Sequence, residues 1–452
     1  MDLDIRLIVP GPDRGSVLLT PEGVLPAFVR AGDVDEASIV AVDRLLRGEL
    51  GFPGAVLESH PQWAGVPEGA PIPTLATTEP ALNGWRPSTG LSFRAIPDEP
   101  AGLPAALVPR AREWLAELRD GEREPPTLRP RWSRPGWRAR AATWMTEAAA
   151  DAGQPLTAEP SSFYLRGISA LLRAPTADRD LFLKAVFPPF HAEPALTGLL
   201  ADRFPGHLPR VLATEAEEGW LLVEDIQATL IGELPDPDRP AALAIGSRAI
   251  VEIQVAMADR PNDLAALGNA GAPHRPAAEF PAALEVALGP DGVGFHAAPL
   301  APERRDRILH GVAAAVARVQ TLGVPETVVH GDFHPGNAAI VDGRAVIIDW
   351  SDAAIGCPLV DLLTWISWSD EKPAERQGAI DAWITAWSSV VDGTALRDRL
   401  EDVLALGAAY QVISYDGILK GLEPATRYTL IDGSQGFLKS LEESLERIAA
   451  PA

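Results

Sequence analysis

With 452 residues, 46% of them hydrophobic and 22% charged, the chain is globular in composition and too long for one ordinary core, so two or three domains are expected. Its formal net charge of -23 excludes the basic footprint that a nucleic-acid partner or an anionic membrane surface needs, although an acidic surface can attract a cationic substrate. The one cysteine, Cys357, excludes an intramolecular disulfide framework and fits a reducing compartment; the N-terminus lacks a signal-peptide pattern, and Arg248 and Glu252 interrupt the longest apolar tract, so a cytoplasmic protein with no membrane span is expected.

Residues 5–58 alternate short apolar runs (5–9, 16–19, 24–29) with Pro/Gly/Asp turn signals, followed by a helical pattern over 35–50 that Gly51 stops. The tract Arg44-Leu45-Leu46-Arg47-Gly48-Glu49-Leu50-Gly51-Phe52 resembles the metal-binding helix of a Nudix domain at Arg44, Glu49, Gly51 and Phe52. Leu45 and Gly48 stand where that family places ligand carboxylates, so the resemblance implies a degenerate, non-catalytic relative. A helix over 105–119 closes this small α/β domain, and the Pro/Gly-rich stretch 120–136 reads as an extended linker.

A helix over 137–152 precedes three strand-like runs, 161–165, 169–174 and 181–187. The third carries Lys184 between Leu183 and Ala185, and a helix over 192–204 offers Glu193 as its partner. In a kinase-like small lobe such a lysine contacts the α- and β-phosphates of the nucleotide. The turn Leu165-Arg166-Gly167-Ile168-Ser169 stands in place of a glycine-rich loop, with Ser169 able to donate to phosphate. The run 220–226, ending through Glu224 to Ile226, suits a hinge whose backbone binds adenine. Helices over 237–258 and 302–322 flank a Pro/Gly/Ala-rich segment expected to hold short helices.

The most informative stretch is His330-Gly331-Asp332-Phe333-His334-Pro335-Gly336-Asn337, followed by an apolar run that ends on Asp349. An Asp to accept a hydroxyl proton, an Asn five residues on and an Asp closing a short strand are the parts that phosphoryl transfer uses to hold a hydroxyl, metal ions and a phosphate chain. Asp332 is read as the catalytic residue, Asn337 and Asp349 as Mg²⁺ ligands, and Asp342-Gly343 as the hairpin turn that returns Asp349 to Asn337. His330, His334 and Asp361 are read as structural supports. Asp352 is a candidate substrate contact, as are Gln411, Tyr415 and Asp416 on a C-terminal helix. Trp365, Trp368, Trp383 and Trp387, at helical spacing, are read as core first and substrate platform second.

The catalytic-loop stretch, Ile347-Ile348-Asp349-Trp350-Ser351-Asp352 and Gly356-Cys357-Pro358-Leu359-Val360-Asp361-Leu362 together resemble the aminoglycoside phosphotransferase and choline kinase-like family. That resemblance, over roughly 137–452, implies an α+β, protein-kinase-like bilobal fold, with a small lobe at 137–226 and a large lobe at 227–452 after the N-terminal domain (1–119). It also implies ATP- and Mg²⁺-dependent transfer to the hydroxyl of a sugar, an aminoglycoside or an amino alcohol. The thin glycine loop and extra domain leave a second expectation, an ATP-binding pseudokinase or regulatory protein acting through its N-terminal domain. No residue pattern names the acceptor, the purine preference or the oligomeric state.

Overall fold

The computed structural model describes all residues except 1, 32–37, 63–65, 88–89, 121–125, 296–298, 370 and 451–452. In it the chain divides into a first unit, Met1–Phe187 with Leu422–Thr426, and a second, Pro188–Gly421 with Arg427–Ala452. The architecture is α+β, with sheets and helices mixed along the chain. The expected divisions at 119/137 and 226/227 do not coincide with this one.

In the first unit, β1 (Asp2–Ile8) alternates buried Leu3, Ile5 and Leu7 with less buried polar residues, the period of a strand packed on one face. It pairs antiparallel with β3 (Ala27–Ala31) and parallel with β5 (Ile72–Thr78), which carries β4 (Val56–Pro61) antiparallel on its other edge. The strand β2 (Ser16–Leu19) pairs separately with β6 (Ser92–Ala95). The helical pattern expected over 35–50 begins outside the described residues; α1 (Ser38–Arg44) runs on into a wider turn, Leu45–Glu49. Glu49, the one carboxylate of the Nudix-like tract, is engaged at both oxygens by Arg30.

Next come α2 (Val108–Asp120), α3 (Trp137–Asp151) and an antiparallel meander of β7 (Ser161–Leu165), β8 (Ser169–Pro175) and β9 (Asp180–Val186). Leu165 packs against the core built by β1 and α1, which explains why these strands share a unit with the N-terminal sheet. The described part of the expected linker is packed rather than extended in solvent. Arg129 and Trp132 are buried, and Trp132 Nε1 donates to the Arg166 carbonyl (2.9 Å).

Arg129 belongs to a buried charge network. Glu58 on β4 accepts from Arg110 (2.8 Å) and Trp114 Nε1 (3.1 Å) of α2, while Glu423 accepts from both Arg110 (2.9 Å) and Arg129 (3.0 Å). Glu117 accepts from Arg129 as well (2.8 Å). Burial alone would raise the Glu58 carboxyl, but Arg110, His60 and Arg129 outweigh it and hold it far below the ordinary carboxylate range. A carboxylate depressed in the folded state contributes stability that is present above its unfolded pKa and lost as pH falls below it. Protection of the α2 amides from hydrogen exchange is therefore expected to weaken as pH drops from about 5 toward 3. Glu58→Gln should remove most of that pH dependence; an unchanged slope would show that Glu58 does not set it.

The second unit begins with α4 (Glu193–Arg203), followed by a hairpin of β10 (Val211–Glu215) and β11 (Trp220–Glu224). Among the described residues, α5 (Arg239–Ala258) is the one helix long and apolar enough to cross a membrane. It packs instead as a core helix, burying Leu243, Ile250, Ile253 and Met257, with Arg248 and Glu252 exposed. The segment that follows holds α6 (Pro261–Asn269), β12 (His274–Arg275) and α7 (Phe280–Ala287), then α8 (Pro302–Gln320). Beyond it β13 (Thr327–Val329), β14 (Ala338–Val341), β15 (Arg344–Ile347) and β16 (Ala354–Gly356) frame the loops of interest. Helices α9 (Asp361–Ser367), α10 (Pro373–Trp387), α11 (Gly393–Asp398), α12 (Leu400–Gly421) and α13 (Tyr428–Ala449) complete the unit. Trp365, Trp383 and Trp387 are fully buried, as their helical spacing predicts; Trp368 is the exception.

Candidate active site

The short buried strand β13 delivers the chain to His330 and Gly331. Gly331 has φ +85°, and a Cβ there would lie 2.1 Å from the Asp352 carbonyl oxygen, so only glycine fits. The loop is clamped from behind by Asp361, the first residue of α9. Its carboxylate accepts from the backbone N–H groups of His330 and Gly331 (both 2.9 Å) and from Gln254 Nε2 (2.8 Å). Burial pushes the Asp361 carboxyl up to about 7, and these three donors pull the other way. His330 is fully buried, with Nε2 donating to the Ile348 carbonyl (3.0 Å) and Nδ1 accepting from the Asp332 backbone N–H (3.3 Å). Both residues serve the support roles expected of them.

Asp332 therefore sits on a backbone fixed from two sides, its side chain 47% exposed. Asn337 Nδ2 donates to the Asp332 carbonyl (3.0 Å), which folds the loop back on itself. The β14–β15 hairpin turns at Asp342 and Gly343, both with positive φ, the type I′ geometry of a two-residue turn. Asp342 is a turn residue, as its place in the sequence predicts. The hairpin brings Ile348 opposite Asn337, with the Ile348 N–H donating to the Asn337 carbonyl (2.9 Å), so Asp349 arrives directly beyond that pair. Asp349 has φ +61° and accepts from Ser351 Oγ (2.6 Å). His334 reaches the same place, with Nε2 3.6 Å from Asp332 Oδ2. Burial pushes its imidazole below the ordinary value, opposed by the Asp349 charge. The structure thus gathers Asp332, Asn337 and Asp349 around one loop and one hairpin.

A family model described as "Phosphotransferase enzyme family" matches residues 169–391, a range that contains all three. This region belongs to the phosphotransferase enzyme family. The chain is thus a small-molecule phosphotransferase in reaction class. Solved structures that resemble it include a macrolide 2'-phosphotransferase of Brachybacterium faecium (17% identity, 68% of this chain and 99% of that one, TM-score 0.42). A choline/ethanolamine kinase family protein of Mesorhizobium loti is 17% identical over 67% of this chain and 98% of that one, with TM-score 0.44. The aminoglycoside phosphotransferase APH(4)-Ia, solved with ADP and hygromycin B, is 14% identical over 67% and 98%, with TM-score 0.44. No curated protein matches the chain.

The remaining candidates of this phosphotransferase divide between the two units. In the first, Lys184 lies on β9 with its side chain on the face opposite buried Leu183 and Ala185, and Ser169 opens β8, buried and in register with Val186. In the second, Glu193 is the first residue of α4 and is buried; Glu224 ends β11, accepting from Arg210 Nη1 (2.8 Å), with half-buried Ile226 two residues on.

Three of the four proposed substrate contacts have internal partners instead of an open cleft. Asp352 is buried, accepts from Ser414 Oγ (2.5 and 2.7 Å) and lies 3.4 Å from Arg275 Nη1. Burial pushes its carboxyl up, with Arg275 and Ser414 opposing. Gln411 is buried and donates to the Gly331 carbonyl, making it a further support of the loop. Asp416 accepts from the Val293 N–H (2.9 Å) and pairs with Lys420 (2.6 Å). Polar residues on a helix read as cleft-facing in sequence, but here distant backbone supplies the partners. Half-buried Tyr415, the fourth, has its phenol pushed up to about 12 by burial and by the charges of Asp332 and Asp352. Sequence reasoning missed Arg275, Gln254, Tyr410 and Ser414. Tyr410 donates to the Asp352 carbonyl (2.9 Å) and lies under the Arg275 guanidinium. None of the four carries a motif that could have flagged it.

Proposed function

We propose that this phosphotransferase is an ATP- and Mg²⁺-dependent kinase that transfers the γ-phosphate to a hydroxyl of a sugar, an aminoglycoside or an amino alcohol. The observation that carries this reading is the convergence of the Asp332 loop, Asn337 and Asp349 at the end of the β14–β15 hairpin. Exposed on a rigid backbone, Asp332 accepts the proton of the acceptor hydroxyl. Asn337, its amide nitrogen engaged by the Asp332 carbonyl, presents its oxygen to a cation, and Asp349 offers carboxylate oxygen. Two hard oxygen donors suit a magnesium ion that takes its other ligands from phosphate and water. Among the described residues no cluster of three or more His, Cys, Asp and Glu could hold a metal, in keeping with an ion completed by substrate. Bound there, the ion would neutralise charge on the phosphate chain.

On the family pattern Lys184 and Ser169 of the first unit are assigned to the phosphates, and Glu193 and the backbone from Glu224 to Ile226 of the second to nucleotide binding. Tyr415, neutral at physiological pH, is proposed as a contact of the acceptor. Purified protein with ATP, Mg²⁺ and a panel of sugars, aminoglycosides and amino alcohols is expected to consume ATP only when an acceptor is present, and chelation with EDTA should stop it. Mg²⁺-dependent ATP binding without turnover on any acceptor would overturn this reading in favour of a regulatory protein acting through its N-terminal domain.

A further inference from the structure

We infer that His334 is a positioning residue that holds the Asp332 carboxylate for proton transfer, and that Trp368 fixes the His334 ring in that role. The inference rests on the reading of Asp332 as the proton acceptor. It begins with the imidazole's hydrogen bonds. The Gly336 backbone N–H donates to His334 Nδ1 (3.0 Å), which occupies that lone pair and leaves the neutral ring's proton on Nε2. Nε2 is the atom that faces Asp332 Oδ2, at 3.6 Å.

The plane of the ring is set separately. Trp368 stacks on His334, with centroids 5.1 Å apart and an interplanar angle of 13°. Trp368 is 53% exposed, unlike the fully buried Trp365, Trp383 and Trp387, so core packing does not explain its place. Its seat is made by glycines from two different turns. A Cβ on Gly232 would lie 2.3 Å from the indole, and one on Gly336 2.8 Å from it. An indole that two side-chain-free positions admit lies flat on an imidazole that points at the catalytic carboxylate, and so covers one face of that ring and holds its plane.

A carboxylate with one oxygen facing an N–H donor presents its other oxygen to the acceptor hydroxyl, whereas an unrestrained one rotates about its terminal torsion. The 3.6 Å separation is longer than a hydrogen bond, and contacts of this kind tighten when substrates close the site.

The test uses the full chain in the acceptor-dependent assay, with His334→Ala, His334→Gln, Trp368→Ala, Trp368→Phe and the double variant His334→Ala/Trp368→Ala. Misplacing a reacting group costs on the order of 10–100-fold. His334→Ala is expected to lower kcat by roughly that factor while leaving KM for ATP within about twofold and the melting temperature nearly unchanged. His334→Gln, whose amide N–H can reach the Nε2 position, should recover most of the rate. Trp368→Phe should keep the rate, Trp368→Ala should lose it by a similar factor, and the double variant should be no slower than His334→Ala alone. Wild-type kcat in His334→Ala, no recovery in His334→Gln, additive losses in the double variant, or a rate loss that tracks a lowered melting temperature would each overturn the inference. Asp332→Ala in the same assay separates the two readings. If it is inactive while His334→Ala is not impaired, only the positioning role falls; if it stays active, the reading of Asp332 falls and this inference with it.

Discussion

Asp332→Ala is expected to lower kcat for acceptor phosphorylation by about 10³-fold, the contribution of a well-placed general base. The KM for ATP should change little, since Asp332 is assigned to the acceptor proton and not to the phosphates. Its loop backbone is held by the Asp361 carboxylate, by Gln411 on the Gly331 carbonyl and by Asn337 on its own carbonyl, none of which depends on the Asp332 side chain. The variant should therefore fold and still bind ATP, measurable by calorimetry alongside steady-state rates. Turnover near the wild-type level would show that another group takes the proton.

Asp361→Ala is expected to be more damaging, because it removes the acceptor for three buried donors at once. The backbone N–H groups of His330 and Gly331 and the amide of Gln254 would all lose their partner. Each unsatisfied buried donor costs on the order of 1–3 kcal/mol, so a loss of at least about 3 kcal/mol is expected, together with loss of turnover as the loop relaxes. Asp361→Asn tests the cause: it keeps the shape but sets an amide N–H₂ against N–H donors, and should recover only part of the stability. Thermal unfolding with an acceptor assay measures both. A melting temperature close to wild type in Asp361→Ala would mean that the clamp is not what fixes the loop.

How much of this was legible in the sequence follows from how local each interaction is. Asp332, Asn337 and Asp349 lie within one loop and one hairpin, and the turn at Asp342-Gly343 announces its own geometry, so their placement together could be read. The buried tryptophans at helical spacing were equally readable. The Arg275–Asp352–Ser414 cluster was not, since its members come from β12, the segment after β15 and α12 and share no period. Composition misled at the expected linker: proline-rich, charged sequence reads as solvated, yet Arg129 there is buried because Glu423 and Glu117 compensate its charge. Gln411 and Asp416 misled for a related reason, as a polar side chain on a helix does not reveal whether water or remote backbone is its partner.

The small insert Leu422–Thr426 has a consequence for how this protein can be taken apart. Five residues between α12 and α13 belong to the N-terminal unit, and Glu423 meets Arg110 across 313 positions of sequence. A cut after Phe187 would release a fragment missing one of its own buried anions, with Arg110 and Arg129 short of a carboxylate. Chain order and structural membership are therefore out of step, and the N-terminal part is not a detachable module that a neighbouring gene could donate or lose in one recombination event. Grafting it onto another catalytic region would require carrying along a loop encoded far downstream.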